Sequence, residues 1–507
     1  TNSSYVASTA TYDSFGNVLT STDPVNNTTT TTWDAAGLFP LTVKNALNQT
    51  QSTTWNPACG VQLTATDLNS SVTSWTYDAL CRRTKESRPD GGWTDFAYVG
   101  YGSPSAQYNK TTINNGVASS RWTSSYFDGL FREWQSVNNV SETSETTYDA
   151  RGLIGTVSAP YKPAETKKFT TFAYDAIRRP VLITNPDNST RQTLFGDWSE
   201  TSCDELGKPR SRTRDAYGQV RKVREYIGPA CAVAPVCTVG SNCFDTVINY
   251  DLLGQQTGFT DALNNVSSST FDSLGRRTAM TDPDMGTWSY TYDAAGRMLS
   301  QTDARSNQIQ FGYDALNRVT QKKLSTGAIL ADYYYDEPGH GAGIGKRSRM
   351  IDPSGNAFYT YDVMGQVLSE QKTIGSTTYT TARTFDRENR PITVTYPNNE
   401  VVSFTYDAAG RPLTAGGYVS AATYDARGHI LSRTLGNGIV ESMSYDPNRF
   451  WMLGALLLLL SILFQLASLT FAPLMVVQPI GVTALVFTVL LTSIAAKKRP
   501  SAAVVRA

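Results

Sequence analysis

Through most of the first 449 positions, apolar and polar residues alternate one by one in short runs broken by turn-forming residues. In QIQFGY, Gln308 to Tyr313, the alternation places Ile309, Phe311 and Tyr313 on one face of an extended segment. MLSQT (298–302) before it also reads as a strand, and DARSN (303–307) and DALN (314–317) read as turns in which Asp and Asn bond the backbone. The unit predicted here is two short strands and two turns. Gly296 or Asn317, four places after the aromatic, suits a left-handed conformation.

That unit recurs. The hexapeptide YDAAGR stands at Tyr292–Arg297 and again at Tyr406–Arg411. Aromatic–Asp pairs fall 21 residues apart at Tyr250–Asp251, Phe271–Asp272, Tyr292–Asp293 and Tyr313–Asp314. They continue at Tyr335–Asp336, Tyr361–Asp362, Phe385–Asp386, Tyr406–Asp407, Tyr424–Asp425 and Tyr445–Asp446. Earlier copies begin at Tyr12–Asp13, and degenerate ones include Trp55–Asn56, Tyr98–Val99 and Cys203–Asp204. A period of this size marks a repeat architecture in which each unit buries its face against its neighbours. Tyr is expected to be largely buried between units, Asp to cap the turn, Gly296 and Gly410 to permit it, and Arg297 and Arg411 to project from the next strand.

The pattern YDxxGR, with the DxxGN turn of DPSGNAFYTYDVMGQV (352–367), resembles the Rhs/YD-repeat family over residues 5–450. The resemblance implies an all-β ribbon that spirals into a shell-like solenoid. It also implies a role as a non-catalytic shell or scaffold of an exported toxin or cell-surface protein, with an enclosed toxin polypeptide or glycans as partners. A surface carbohydrate-binding adhesin is the alternative.

Composition narrows the chemistry. Equal numbers of basic and acidic residues, 44 each, argue against nucleic-acid binding. Two histidines leave little for acid–base catalysis, and the reading implies no enzyme, cofactor or metal. GHGAGIGKRS (339–348) misses a phosphate-binding loop twice: His340 stands where Gly is needed and Arg347 follows Lys346. It reads instead as a repeat-lengthening loop with His340 exposed. DPSG (352–355) reads as a turn rather than as a self-cleavage motif.

Cys59 and Cys81 each lie four residues after an aromatic, in consecutive units. Equivalent positions on stacked units come within bridging distance, so the two form a candidate disulfide, with two free thiols as the other outcome. Cys203, Cys231, Cys237 and Cys243 suit an exported, disulfide-stapled loop, with zinc as the rival. Arg210, Arg212 and Arg214 alternate along one strand and form a candidate polyanion contact, against the plainer reading of a solvated face.

At Phe450 the pattern breaks. Residues 450–496 carry no charge and have room for two membrane helices, followed by the basic tail 497–507. APLMVVQPIGVTALVF resembles a helix pair of drug/metabolite-transporter-like permeases. The basic tail favours a cytoplasmic C-terminus, which two passes would impose on the repeats too, whereas the cysteines favour export. A membrane-associated array with an extracellular repeat region and a non-functional gene fusion both remain open on the sequence.

Overall fold

The structure is a computed structural model that describes residues 6–445, apart from residues 115, 117–119, 229, 234 and 236. The expected apolar hairpin at 450–496 and the basic tail lie outside the described residues. Thirty-nine strands, numbered in chain order from β1 (Thr9–Tyr12) to β39 (Val440–Ser442), form one antiparallel sheet. Strand pairs with strand in sequence order throughout, as in β25 (Gly286–Tyr292) with β26 (Met298–Thr302) and β26 with β27 (Gln308–Tyr313). No helix occurs among the described residues.

Each aromatic–Asp pair among the described residues closes a hairpin. In Asp293–Arg297 the Asp293 N–H donates to Arg297 O at 2.9 Å and the Gly296 N–H to Asp293 O at 3.1 Å. Gly296 has φ +83°, and the register slips by one residue between Thr291 and Tyr292. This is a tight turn with a bulge, which needs a left-handed residue at its end. Asn317 (φ 63°) and Cys81 (φ 62°) fill that place in their units.

All such turns line one long side of the ribbon, the tyrosine edge; the other turns line the opposite edge. Cys203–Asp204, expected from its residues to be a degenerate copy of the motif, sits on the opposite one. It joins β18 (Ser199–Cys203) to β19 (Pro209–Arg214), and the tyrosine-edge turns nearby are those after Phe195 and Arg214. Phe195, 21 residues after Tyr174, keeps the tyrosine-edge phase without an Asp, its hairpin closed by the Gly196 N–H donating to Ser199 O, so the next turn, at Asp204, falls on the opposite edge.

The sheet is a single layer. Only nine hydrophobic and seven polar side chains are buried among the described residues. Its two faces nevertheless differ. In β25, Trp288, Tyr290 and Tyr292 are half-buried while Thr287, Ser289 and Thr291 are exposed. Val402, Phe404 and Tyr406 alternate the same way with Val401, Ser403 and Thr405 in β35 (Val401–Tyr406). One face is aromatic and sheltered. The other is a carpet of Thr and Ser in which hydroxyls pair across strands, as in Thr405–Thr414 (2.7 Å) and Thr384–Thr393 (2.7 Å).

The ribbon coils back onto itself. The opposite edge of the first coil meets the tyrosine edge of the second, through partners 267 to 299 residues apart. Gln49 donates to Asp336 Oδ2 (2.8 Å), Asn139 to Ala408 O (2.8 Å) and Arg411 to Glu142 Oε1 (2.8 Å). Arg121 pairs with Glu388, whose side chain is 4% exposed, at 2.6 Å. The glycine-rich loop belongs to this seam. The Ile344 N–H donates to Asn69 Oδ1 (2.8 Å), and Asn69 Nδ2 donates back to Ile344 O (3.1 Å). His340 is not exposed as the loop composition suggests; its side chain is 12% exposed and its ring lies parallel to Phe358. DPSG forms a turn in which Asp352 Oδ1 accepts the N–H groups of Ser354 and Gly355.

Burial pushes the Asp336 carboxyl up, but bonds from Arg318, Gln49 and the Gly345 N–H outweigh it and hold it below its usual value. A depressed carboxyl stabilises above its unfolded value, near 4, and that stability is lost as pH falls through the folded value. Hydrogen-exchange protection of the Asp336–Gly345 loop is therefore expected to persist at mildly acid pH and to fall only in stronger acid. Loss of protection already at pH values above the ordinary carboxylate range contradicts this assignment.

Candidate functional site: the tyrosine edge and the sheltered face

Along the tyrosine edge one linkage repeats. Asp293 Oδ1 accepts the Arg297 N–H at 2.9 Å, and Asp293 Oδ2 accepts from Arg297 Nε at 2.5 Å. Held this way, the Arg297 guanidinium lies 5.0 Å from the centre of the Tyr313 ring in the next unit and donates to Asp314 O at 3.3 Å. Tyr313 reaches back, its hydroxyl donating to Met298 O at 2.7 Å. Asp314 then holds Arg318, which lies over Tyr335. Arg390 and Tyr406, and Arg411 and Tyr424, repeat the stack, with Asp407 holding Arg411 at 2.8 Å. Tyr250 bonds Val220 O (3.2 Å) beneath Arg221. Asp251 and Asp362 cap turns closed by Gln255 and Gln366, and Tyr361 bonds Arg347 O at 2.6 Å.

Each link is a cation over an aromatic face plus a hydroxyl-to-carbonyl bond, worth on the order of 1 kcal/mol apiece. The repeat tyrosines are mostly half-buried rather than largely buried, with Tyr361 (8% exposed) buried and Tyr12 (60%) exposed. A single layer offers no second sheet to cover them. Burial lifts the Tyr313 phenol above its usual value; Asp293 adds to this and Arg297 opposes it. The phenol therefore stays protonated at neutral pH and acts as a donor. Asp and Arg are likewise committed to each other and to turn backbone. Among the described residues no three His, Cys, Asp or Glu side chains converge as metal ligands do.

Arg210, Arg212 and Arg214 share the sheltered face, in register with Ser202 and, through it, Thr193. They do not form a bare cationic stripe. Arg210 pairs with Glu225 (3.4 Å), and Arg212 and Arg214 both approach Glu200 (3.2 and 3.7 Å). The strand's own alternation places the arginines correctly on one face, but the compensating carboxylates come from neighbouring strands.

All six cysteines are bridged. Cys59 and Cys81 join consecutive turns of the tyrosine edge with Cα atoms 5.6 Å apart. Cys203–Cys231 and Cys237–Cys243 staple residues 227–242 onto the hydroxyl face, where Thr201 donates to Val233 O at 2.8 Å and both Thr201 and Cys243 are fully buried. Here the sheet gains a local second layer. The seam contacts have no signal within a single unit.

Two outcomes follow from these links. Tyr313→Ala is expected to destabilise its region by about 2 kcal/mol, roughly half the cost of a fully buried aromatic, and Tyr313→Phe by about 1 kcal/mol; urea unfolding that leaves both variants at the wild-type midpoint rules the linkage out. Replacing Cys59 and Cys81 together by Ser should remove about 3 kcal/mol, the worth of closing a loop of some twenty residues. Peptide mapping without reductant that finds either thiol free contradicts the bridge.

The RHS Repeat family matches residues 250–284, 292–329 and 385–417. No curated protein matches the chain. Among solved structures, the crystal structure of TcdB2-TccC3 superposes with a TM-score of 0.76 at 17% identity, over 88% of this chain and 28% of that one. TcdB2-TccC3-Cdc42 gives 0.75 at 16% identity, and a Photorhabdus luminescens Tc holotoxin pore with mutated TccC3 gives 0.73 at 16%; each match covers 88% of this chain and 30% of the other. The chain thus spans less than a third of the length of these structures, and at such identity the likeness is one of fold. Three stretches of the array thus match RHS repeats, and the aromatic–Asp hairpins on either side of them repeat the same unit, so the array is similar to Rhs/YD-repeat proteins.

Proposed function

We propose that this chain is a segment of the wall of an exported, non-catalytic Rhs-type container, with its sheltered aromatic face turned toward an enclosed polypeptide. The observation that carries this reading is a two-faced single-layer sheet that coils and rests on itself. A coil has an inside, and the lower exposure of the aromatic face supports turning that face toward it. That face mixes Trp, Tyr, Phe and Ile with Thr and Ser, and its charges are largely balanced in place. Such a lining offers weak, unspecific contacts to an unfolded chain and no strong site to trap it. Three disulfides suit an oxidising compartment. In this reading residues 1–449 form the wall, 450–496 a membrane hairpin and 497–507 a basic tail.

Neighbouring positions test the orientation. Every described cysteine is bridged, so an introduced thiol is the only one a maleimide meets. Thr291→Cys, on the hydroxyl face, should react rapidly with both a small maleimide and a maleimide on a long polymer. Tyr290→Cys, on the sheltered face, should react with the small reagent but several-fold more slowly with the polymer. Equal polymer rates at the two positions would overturn the assignment of an inside.

A further inference from the structure

At each turn the second residue after Asp is thrown outward, its N–H tied to the Asp carboxylate, as Leu80 is to Asp78 and Tyr217 to Asp215. Along the tyrosine edge of the first coil this place is taken by large apolar residues at six turns, with Ala36, Ala58 and Arg151 at others. Phe15, Leu80, Leu130, Ile177, Tyr217 and Leu253 are between 66% and 88% exposed. Where the same edge is seated on another coil the place is sheltered: Leu316 and Met364 are half-buried. The opposite edge repeats the contrast. Val25 and Val140, in turns that enter the seam, are half-buried, whereas Leu206 and Leu263, beyond it, are 76% and 79% exposed. Exposed apolar tips recurring along one rim are a contact surface awaiting cover.

We propose that the free tyrosine edge of residues 13–276 and the free opposite edge of residues 204–439 are the two halves of a head-to-tail interface between copies of this chain. The seam within one chain supplies the template. There a tyrosine edge already sits on an opposite edge, with carboxamides and carboxylates bonding across and apolar tips covered. Each chain carries one free edge of each kind, so a second copy presents the matching surface. The contact joins unlike patches, and it leaves a fresh edge at each end of the stack. It stands whether or not the coil encloses cargo.

Sedimentation velocity of the full chain in mild detergent tests the proposal. The wild type should form concentration-dependent species larger than one chain. Leu80→Asp with Leu130→Asp and Ile177→Asp blocks one edge, and Leu206→Asp with Leu263→Asp blocks the other. Each blocked variant alone should lose association by about tenfold or more. An equal mixture of the two should form pairs and nothing longer, because one intact edge of each kind remains. All five positions are exposed tips, so an unchanged circular dichroism spectrum confirms that the variants fold. A wild type that stays a single chain at its highest soluble concentration overturns the proposal. So do blocked variants that assemble like wild type, which would assign association to the apolar stretch 450–496, and a mixture that fails to pair.

Discussion

A sheet one layer thick cannot bury a core, and this constraint shapes the rest of the molecule. Burial in globular domains comes from layer packed on layer. Here each residue has strand neighbours on two sides and, over most of the sheet, nothing above it. Stability therefore comes from links between consecutive hairpins. The guanidinium held by Asp293 covers Tyr313, Tyr313 bonds back to Met298, and Asp314 begins the next link. Each link is small, but it recurs in many units, so the array behaves as a one-dimensional chain of nearest-neighbour interactions. The residues that vary least along the chain are those of the link, not those of a core.

Much of this was legible in the sequence. The alternation in QIQFGY and the turns DARSN and DALN correspond to β27 and its flanking hairpins. The shared phase of Cys59 and Cys81 corresponds to a bridge, because stacked units repeat positions as well as residue types. What failed was local bookkeeping across an irregular unit. Cys203–Asp204 has the look of the motif, but the tyrosine-edge turn of that unit is the one after Phe195, which lacks the Asp, so the pair lies on the other edge. The exposure of His340 was misjudged for a different reason: a glycine-rich loop appears free until the first coil and Phe358 supply its surroundings.

The seam was not legible at all. Its partners stand 267 to 299 residues apart, and that separation is the circumference of a coil. Circumference depends on the summed twist of the strands and on the bulges beside the tyrosines, quantities that no single unit specifies. A small change in twist per hairpin, accumulated over a full coil, would set Asn69 opposite a different turn. The observed contacts resist this drift because they are specific: Asn69 makes two reciprocal bonds to Ile344, and Glu388 is nearly buried against Arg121.

Departures from the repeat can be understood on the same terms. Most tyrosine-edge turns of the first coil keep a short, uniform form. Two of the second coil are altered where they meet the first: an eleven-residue loop from Asp336 to Lys346, and Glu388 in place of an apolar tip. The alterations fit a surface already present beneath them. In a uniform repeat every register of coil on coil would be nearly equivalent, and the ribbon could slide. Irregular units at the seam remove that equivalence, so the regular links make the ribbon and its exceptions fix how the ribbon closes on itself.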